Sequence, residues 1–235
     1  MPPIWSATLR FGLATLIFVA MAVIVRPPLP RGRQLLGAVL YGLFGFAASY
    51  TFAYLGLVNG GAGVAQVVID LAPLLTLFLA VGLGMEPFHW QGLAGSLLAA
   101  AGIVVVFGDQ LSAHVPLVSL LLFIAGAVCI ALTNIVAKRI PPGHPILANA
   151  IGMGLGTAVL GSLSLGLGET WSLPTQPSTW VSVLYLASVG SVALFLAFLY
   201  VLRRWTASAT SYVLLLMPLW TIATAAVVRR CTGVS

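Results

Sequence analysis

Residues 61–88 read GAGVAQVVIDLAPLLTLFLAVGLGMEPF, and residues 206–233 read TASATSYVLLLMPLWTIATAAVVRRCTG. The two stretches align without a gap, with small residues, a polar residue and a mid-run proline in the same order. The matched positions are Ala62 and Ala207, Gln66 and Ser211, and Pro73 and Pro218. Self-similarity at a fixed separation indicates an internal repeat. We therefore predict that the chain folds as two related halves.

A second pair of stretches extends the repeat upstream. PIWSATLRFGLATL, which begins at Pro3, aligns with PILANAIGMGLGTA, which begins at Pro145, and the match includes Thr15 and Thr157. A whole apolar run precedes the second copy, whereas only two residues precede the first. The first copy is therefore expected to lack a helix that the second copy has.

The two copies also differ at the other edge. Glu86 leads into a further apolar run, whereas the aligned Cys231 is followed by four residues. We predict a five-helix unit that lacks one helix at each end of the chain, which leaves eight of ten. Because the number of helices per unit is odd, the two copies would be inverted in the membrane, an arrangement typical of transporters.

The composition indicates a membrane protein. Of the 235 residues, 60% are hydrophobic and 6% are charged, and the mean hydropathy is +1.12. A soluble domain carries about 25% charged residues. The net charge of +6 does not indicate nucleic acid, because the basic residues stand singly or in pairs between apolar runs. We expect the lipid bilayer and a small-molecule substrate as partners and no nucleic acid; the oligomeric state stays open, a homodimer included.

Eight stretches are long and apolar enough to span a bilayer, which takes about 20 residues. They fall into a first repeat over residues 1–112 and a second over 113–235, with turn or charge chemistry between them. The predicted fold class is an all-α, polytopic membrane protein of two inverted helical repeats. The predicted spans are roughly residues 10–25, 35–57, 62–84, 90–107, 116–137, 145–167, 178–202 and 208–228.

The loop charges predict the orientation. Basic residues occupy the connections after the first, fifth and seventh spans, and the opposite connections hold Asp109 and Glu169 without lysine or arginine. The positive-inside rule assigns the basic connections to the cytoplasm. The basic residues are Arg26, Arg31 and Arg33, then Lys138 and Arg139, then Arg203 and Arg204.

Asp70 is the one acidic residue inside a predicted span, and it is a candidate for substrate binding or ion coupling. Intramembrane acids are costly and usually face a cavity or a partner. Gln66 lies four residues earlier, on the same helical face, and is the second candidate. The alternative is a hydrogen-bonded Asp70 that fixes helix packing.

Two more helix-borne polar residues are candidates for the same cavity. Asn134 lies late in the fifth span, with bonding between helices as the alternative role. Tyr212 neighbours the position that matches Gln66. Pro73, Pro218 and Glu86 are structural candidates, and for Glu86 the expected role is at a helix N-terminus, where an acid favours the dipole.

The cysteines and histidines predict neither a metal site nor a cofactor. Cys129 and Cys231 are far apart, and His89, His114 and His144 share no ligand-like spacing. An intramembrane enzyme would need acids, histidines or a nucleophile gathered at one depth. Three of the four acids stand at run ends, so we expect no enzyme.

Four features resemble the EamA family of the drug/metabolite transporter superfamily. They are LRFGLATLIF, the mid-helix Pro73, GMEPFHWQGLAGSLLAAAGIVVVF and RRWTASATSYVLLLMP. The resemblance implies two inverted five-helix repeats around a central cavity. It also implies export of amino acids, metabolites or toxic compounds across a bacterial inner membrane without ATP, by alternating access. The rival interpretation is a truncated, non-transporting fragment of such a protein, since the outer helices are missing and Cys231 replaces the repeat's Glu86.

Overall fold

The computed structural model describes residues 2–88, 90–111, 115–172 and 176–211, and all regular structure in these ranges is helical. We number the α-helices α1 to α11 and the two π-helical segments π1 and π2. In chain order they are α1 (Pro3–Val25), α2 (Arg33–Gly42), π1 (Leu43–Ala48), α3 (Ser49–Leu57), α4 (Ala62–Ile69), α5 (Ala72–Gly82), α6 (Trp90–Leu111), α7 (Leu117–Arg139), α8 (Pro145–Gly166), α9 (Pro177–Ala187), π2 (Ser188–Ala193), α10 (Leu194–Arg204) and α11 (Ala207–Ser211).

Six helices in the described part of the chain are long and apolar enough to cross a membrane. They overlap six of the eight predicted spans. The predicted span 90–107 coincides with α6, which is not among the six. Of the predicted span 208–228, only the start lies within the described residues, as α11. The six are Ile4–Val25, Arg33–Leu57, Ala62–Gly82, Leu117–Arg139, Pro145–Gly166 and Thr179–Arg204.

The first helix begins earlier than predicted. The expected span was 10–25, but α1 begins at Pro3. Proline suits the first turn of a helix, because its missing N–H is not needed there and its φ is already helical. The correction places Arg10 about 10 Å along the helix axis from the first residue of α1, inside the spanning segment.

The third predicted span, 62–84, is not one continuous helix. It breaks between α4 and α5 at Asp70 and Leu71, whose ψ angles are −3° and −9°. Pro73 explains the position of the break, because proline cannot donate the amide that the carbonyl of Ile69 would accept in an unbroken helix. Asp70 therefore sits at a helix interruption within the membrane segment.

Two other predicted spans each contain six residues of π-helix. Leu43–Ala48 interrupts the second span and Ser188–Ala193 interrupts the seventh. The two segments are 145 residues apart (43 to 188), which is also the separation of Pro73 and Pro218. A π-helical turn leaves one backbone carbonyl without its helical donor, and such turns are frequent at functional sites.

Helices α1 and α8 pack against each other in antiparallel directions at the centre of the bundle. A Cβ placed on Gly12 would contact Thr157 Cγ2 at 3.5 Å, and a Cβ placed on Gly154 would contact Thr15 Cγ2 at the same 3.5 Å. Large buried side chains surround this crossing. Among them are Phe11, Phe18, Tyr41, Phe46, Met153 and Leu160, all fully buried.

The three basic connections meet at one end of the bundle. Lys138 Nζ donates to the carbonyls of Leu202 and Trp205 at 2.9 and 2.6 Å, and Arg203 donates to the carbonyl of Gly143. Gly143 lies against the loop between α1 and α2, where a Cβ on it would be 3.6 Å from Pro30 Cβ. The loop with Glu169 lies at the opposite end, beside the start of α1.

Candidate functional site

Asp70 and Gln66 form one polar unit inside the membrane segment. Gln66 Nε2 donates to Asp70 Oδ2 at 2.8 Å across one helical turn, as the four-residue spacing suggests. Asp70 is 5% exposed and is the C-cap residue of α4. In several transporters the ends of half-helices within the membrane bind substrates and coupling ions, and Asp70 lies at such an end.

Asn134 lies on α7 and is hydrogen-bonded to α5. Its Nδ2 donates to Thr76 Oγ1 at 3.1 Å, and both side chains are almost fully buried. Thr76 Oγ1 in turn donates to the carbonyl of Ala72. These two hydrogen bonds join α7 to α5 and satisfy the polar atoms Nδ2 of Asn134 and Oγ1 of Thr76. The structure thus ties Asn134 to the half-helix that follows Asp70, and no hydrogen bond among the described residues joins Asn134 to Asp70 itself.

Arg10 is a polar residue within a span that the sequence analysis did not select. Its Nε donates to Ser191 Oγ at 2.9 Å and its Nη2 donates to the carbonyl of Gly190 at 3.2 Å. Both partners belong to π2. The amide of Leu194 donates to the carbonyls of Val189 and Ser191 and passes over Gly190. The guanidinium of Arg10 therefore donates to the carbonyl of Gly190, which the amide of Leu194 would reach in an α-helix.

The end of the bundle opposite the basic loops is closed by contacts between α1 and the loop after α8. Glu169 accepts hydrogen bonds from the amides of Trp5 (2.8 Å) and Ile4 (3.3 Å). A carboxylate at a helix N-terminus satisfies free amides and complements the helix dipole. The rings of Trp5 and Trp171 stack with centroids 4.3 Å apart. We call this set of contacts the acidic-end tie.

Glu86 makes a comparable contact at the end with the basic loops. Its Oε1 accepts from the amides of Ala207 (2.6 Å) and Ser208 (3.4 Å), at the start of α11. The sequence analysis expected Glu86 to act on the span that follows it, whereas these hydrogen bonds are to a helix of the other half. We call this contact the basic-end tie.

A groove of about 490 Å³ lies between α1, α8 and α10 near the end with the basic loops. Met21 of α1 and Leu196 of α10 line its apolar part, and His144, Tyr200 and Arg203 line its outer part. The groove and the Arg10–π2 contact both involve α1, but Met21 is eleven residues, about 16 Å of helix, from Arg10. Leu196 is five residues, about 7.5 Å of helix, beyond Ser191.

Two candidates, Tyr212 and Pro218, lie outside the described residues. In the parts of the chain that the structure describes, no three His, Cys, Asp or Glu side chains are grouped so that they could hold a metal ion. Cys129 is a free, buried cysteine within α7.

Antiparallel apolar helices with polar groups held inside them define a polytopic helical membrane protein. The EamA-like transporter family model matches residues 1–108 and again residues 117–231. The chain belongs to the EamA-like transporter family.

Two similar curated proteins come from Escherichia coli K12. The uncharacterized inner membrane transporter YedA is 31% identical over 221 residues, which cover 90% of this chain and 69% of YedA. A probable amino-acid metabolite efflux pump is 30% identical over 247 residues, which cover 99% of this chain and 80% of the pump. Together with the six spanning helices, these relatives identify a multi-pass inner-membrane protein.

Two further similarities are more limited. A probable terminal-alkyne amino-acid exporter of Streptantibioticus cattleyicolor is 32% identical over 103 residues, 43% of this chain and 35% of the exporter. One solved crystal structure superposes on 97% of this chain and 79% of its own chain, with a TM-score of 0.80 and 20% identity. At that identity the likeness shows the fold alone.

Proposed function

We propose that this protein is a secondary transporter that exports a small metabolite of the amino-acid type by alternating access. The relatives named as an amino-acid metabolite efflux pump and an amino-acid exporter suggest the substrate class. The paired, reciprocal contact between α1 and α8 is the observation that carries the mechanism. A Cβ placed on Gly12 or on Gly154 would lie at the same distance, 3.5 Å, from the methyl group of Thr157 or of Thr15.

Reciprocal contacts of this kind are those expected about a two-fold axis. The partners are also the positions that the upstream repeat alignment matches, since Thr15 aligns with Thr157. Because α1 and α8 are antiparallel, the axis would lie in the membrane plane, which favours inverted repeats. The equal separation of the two π-helical segments supports the same interpretation. Inverted halves that rock about such an axis alternate access to a site between them.

Within this mechanism, Asp70 is the candidate for substrate binding or ion coupling, with Gln66 as its partner. The break between α4 and α5 contains Asp70, and it leaves the carbonyl of Ile69 without a helical donor. An ionised Asp70 would attract a cationic group or exchange a proton. Asn134 and Thr76 would hold the neighbouring half-helix in place.

Efflux from proteoliposomes tests the proposal. Vesicles loaded with a panel of radiolabelled L-amino acids are diluted, with and without an imposed pH gradient, and efflux is followed against protein-free vesicles. We expect protein-dependent efflux of at least one amino acid and its acceleration by the gradient. Efflux no faster than from protein-free vesicles across the panel would refute the proposal.

The Asp70 variants separate the charged role from the packing role. Asp70→Asn keeps shape and hydrogen bonding but removes the charge, and it should abolish flux while the protein still inserts. Asp70→Leu leaves Gln66 unpaired, at about 1–3 kcal/mol, and should also lower stability. Gln66→Leu should share the flux defect. Wild-type flux and pH dependence in Asp70→Asn would make Asp70 a structural residue.

A further inference from the structure

We propose that Arg10, in the seam between α1 and π2, binds the carboxylate of the transported molecule. The substrates would then be small monocarboxylates that carry an apolar or aromatic group. This inference rests on the proposed function, since it names the part of the substrate that the transporter recognises.

Arg10 has no acidic hydrogen-bond partner in the described part of the chain. It lies inside a span, where an ionised side chain is expensive unless it pairs with an opposite charge or faces a wet cavity. Its partners in the described part of the chain are both neutral, the hydroxyl of Ser191 and the carbonyl of Gly190. A guanidinium has five N–H donors in a planar fork that matches a carboxylate. Two of them are used here, which leaves three.

The matching π-helical segment of the first half satisfies its exposed carbonyl without an arginine. At π1 the amide of Ser49 donates to the carbonyl of Phe44 and passes over Gly45, and Ser49 Oγ itself donates to Gly45 at 2.6 Å. The first half therefore satisfies its exposed carbonyl locally. The matching position in the second half is Leu194, which has no hydroxyl, and Gly190 takes its donor from Arg10 instead.

Arg10 and the residue aligned with it in the second half differ greatly in size. The upstream alignment matches Arg10 with Gly152, which is packed tightly against the first half. A Cβ on Gly152 would lie 3.1 Å from Tyr41 Cδ1 of α2 and 3.2 Å from Phe46 Cε2 of π1. The chain therefore closes the α8–π1 contact with a glycine and places a long cationic side chain at the related α1–π2 contact. An asymmetry of this kind favours one binding group on the α1 side.

Arg10 lies beside aromatic rings, and a groove opens on the same helix, α1, nearer the basic end. The groove of about 490 Å³ reaches α1 at Met21, which is eleven residues, or about 16 Å of helix, from Arg10. The arginine Cζ lies 5.1 Å from the ring centroid of Phe11, and Tyr50 packs edge-on against that ring at 4.7 Å. Phe11 is fully buried and Tyr50 is partly exposed, so a carboxylate on Arg10 would place its apolar group against Tyr50.

Ligand-dependent thermal stability in detergent tests the inference without any flux. The probes are L-leucine, L-phenylalanine and L-alanine, each paired with its carboxamide, which differs only at the carboxylate. We expect the acids to raise the melting temperature of the wild type and the amides to do so about 10- to 100-fold less efficiently, the usual worth of a charge-assisted hydrogen bond.

Arg10→Gln should lose the preference for acids, and Arg10→Lys should retain part of it, since lysine keeps the charge but not the planar fork. Arg10→Lys also covers the case in which Arg10→Gln does not fold. Arg33→Gln is the matched control, because Arg33 is exposed at the start of α2, outside the seam, and it should bind as the wild type does.

Three outcomes would overturn the inference: equal stabilisation of the wild type by acids and amides, no stabilisation by either, or an acid preference that survives in Arg10→Gln. The proposed transport can fail separately. Acid binding that depends on Arg10, combined with no efflux from proteoliposomes, would refute transport and leave the carboxylate site in place.

Discussion

The contact between α2 and α8 predicts an unusually severe effect for a one-carbon substitution. A Cβ on Gly42 would lie 2.5 Å from Gly152 Cα, 3.0 Å from its carbonyl oxygen and 3.2 Å from its carbonyl carbon. Carbon atoms in ordinary contact are about 3.5–4.0 Å apart. All three neighbours are backbone atoms, so no side-chain rotation relieves the clash. In Gly42→Ala the helices must separate by roughly 1 Å or more.

The cost of Gly42→Ala follows from the contacts that the separation would disturb. Tyr41 donates to Asn149 at 3.1 Å across the same interface, and Gly156 fits against Phe46 so closely that a Cβ would lie 2.6 Å away. Overpacking of this kind costs about 1–3 kcal/mol. For a chain of this size we expect a melting temperature roughly 2–12 °C lower.

Two matched glycines provide the controls. A Cβ on Gly95 of α6 meets nothing within 4 Å, and a Cβ on Gly12 meets Thr157 at an ordinary 3.5 Å. Gly95→Ala should be neutral or slightly stabilising, because alanine is the better helix former, and Gly12→Ala should fall between the extremes. Tryptophan fluorescence during heating in one detergent, at one scan rate, gives the ranking. Equal melting of Gly42→Ala and Gly95→Ala would refute the close approach of α2 and α8.

Other predictions concern the hydrogen bonds and the orientation. Asn134→Leu removes the donor to Thr76 and should cost about 1–3 kcal/mol in the same melting assay, where an unchanged transition would argue against the bond. Trp171→Ala removes the stacking on Trp5 and should lower the melting temperature, whereas Trp205→Ala, at an exposed position, should not. In intact cells, an impermeant thiol reagent should label Thr170→Cys and not Arg31→Cys; the opposite pattern would reverse the orientation.

The sequence predicts the six spans that the described residues show, because apolar length is a local property. It also predicts the unit of Gln66 and Asp70, since residues four apart share a helical face, and the structure pairs them. The break at Asp70 was not predicted, because hydropathy stays high through Pro73. The start of α1 was also missed, because Arg10 lowers the apparent hydropathy of the residues around it. Both errors concern residues that a helix tolerates only when the tertiary structure supplies a partner.

The contacts of Arg10 and of the two glutamates depend on residues that are distant in the chain. Arg10 meets π2 about 180 residues later, and Glu86 meets α11 in the other half. No local pattern marks such pairs. The repeat alignment holds part of the signal, because it sets Arg10 opposite Gly152; the match of Ser49 with Leu194 follows from the equal separation of π1 and π2. Where two related halves share a fold but differ in polarity at matched positions, those positions are candidates for a function that only one half performs.

The two ties lead to a last prediction about the proposed alternating access. Glu169 joins the loop after α8 to the start of α1 at the acidic end, and Glu86 joins the loop after α5 to the start of α11 at the basic end. Each tie connects segments of different halves, so each must be broken when the halves rock open at that end. Glutamine keeps the shape of either residue but removes the charge that favours the helix N-terminus.

Glu169→Gln should therefore shift the population toward opening at the acidic end, and Glu86→Gln toward opening at the basic end. Ala197→Cys, in the groove at the basic end, reports the difference when Cys129 and Cys231 are replaced by serine. Its labelling rate in inside-out vesicles should fall with Glu169→Gln and rise with Glu86→Gln, because opening at one end closes the other. Changes in the same direction would mean that each glutamate only stabilises its helix, and that the two ends are not coupled.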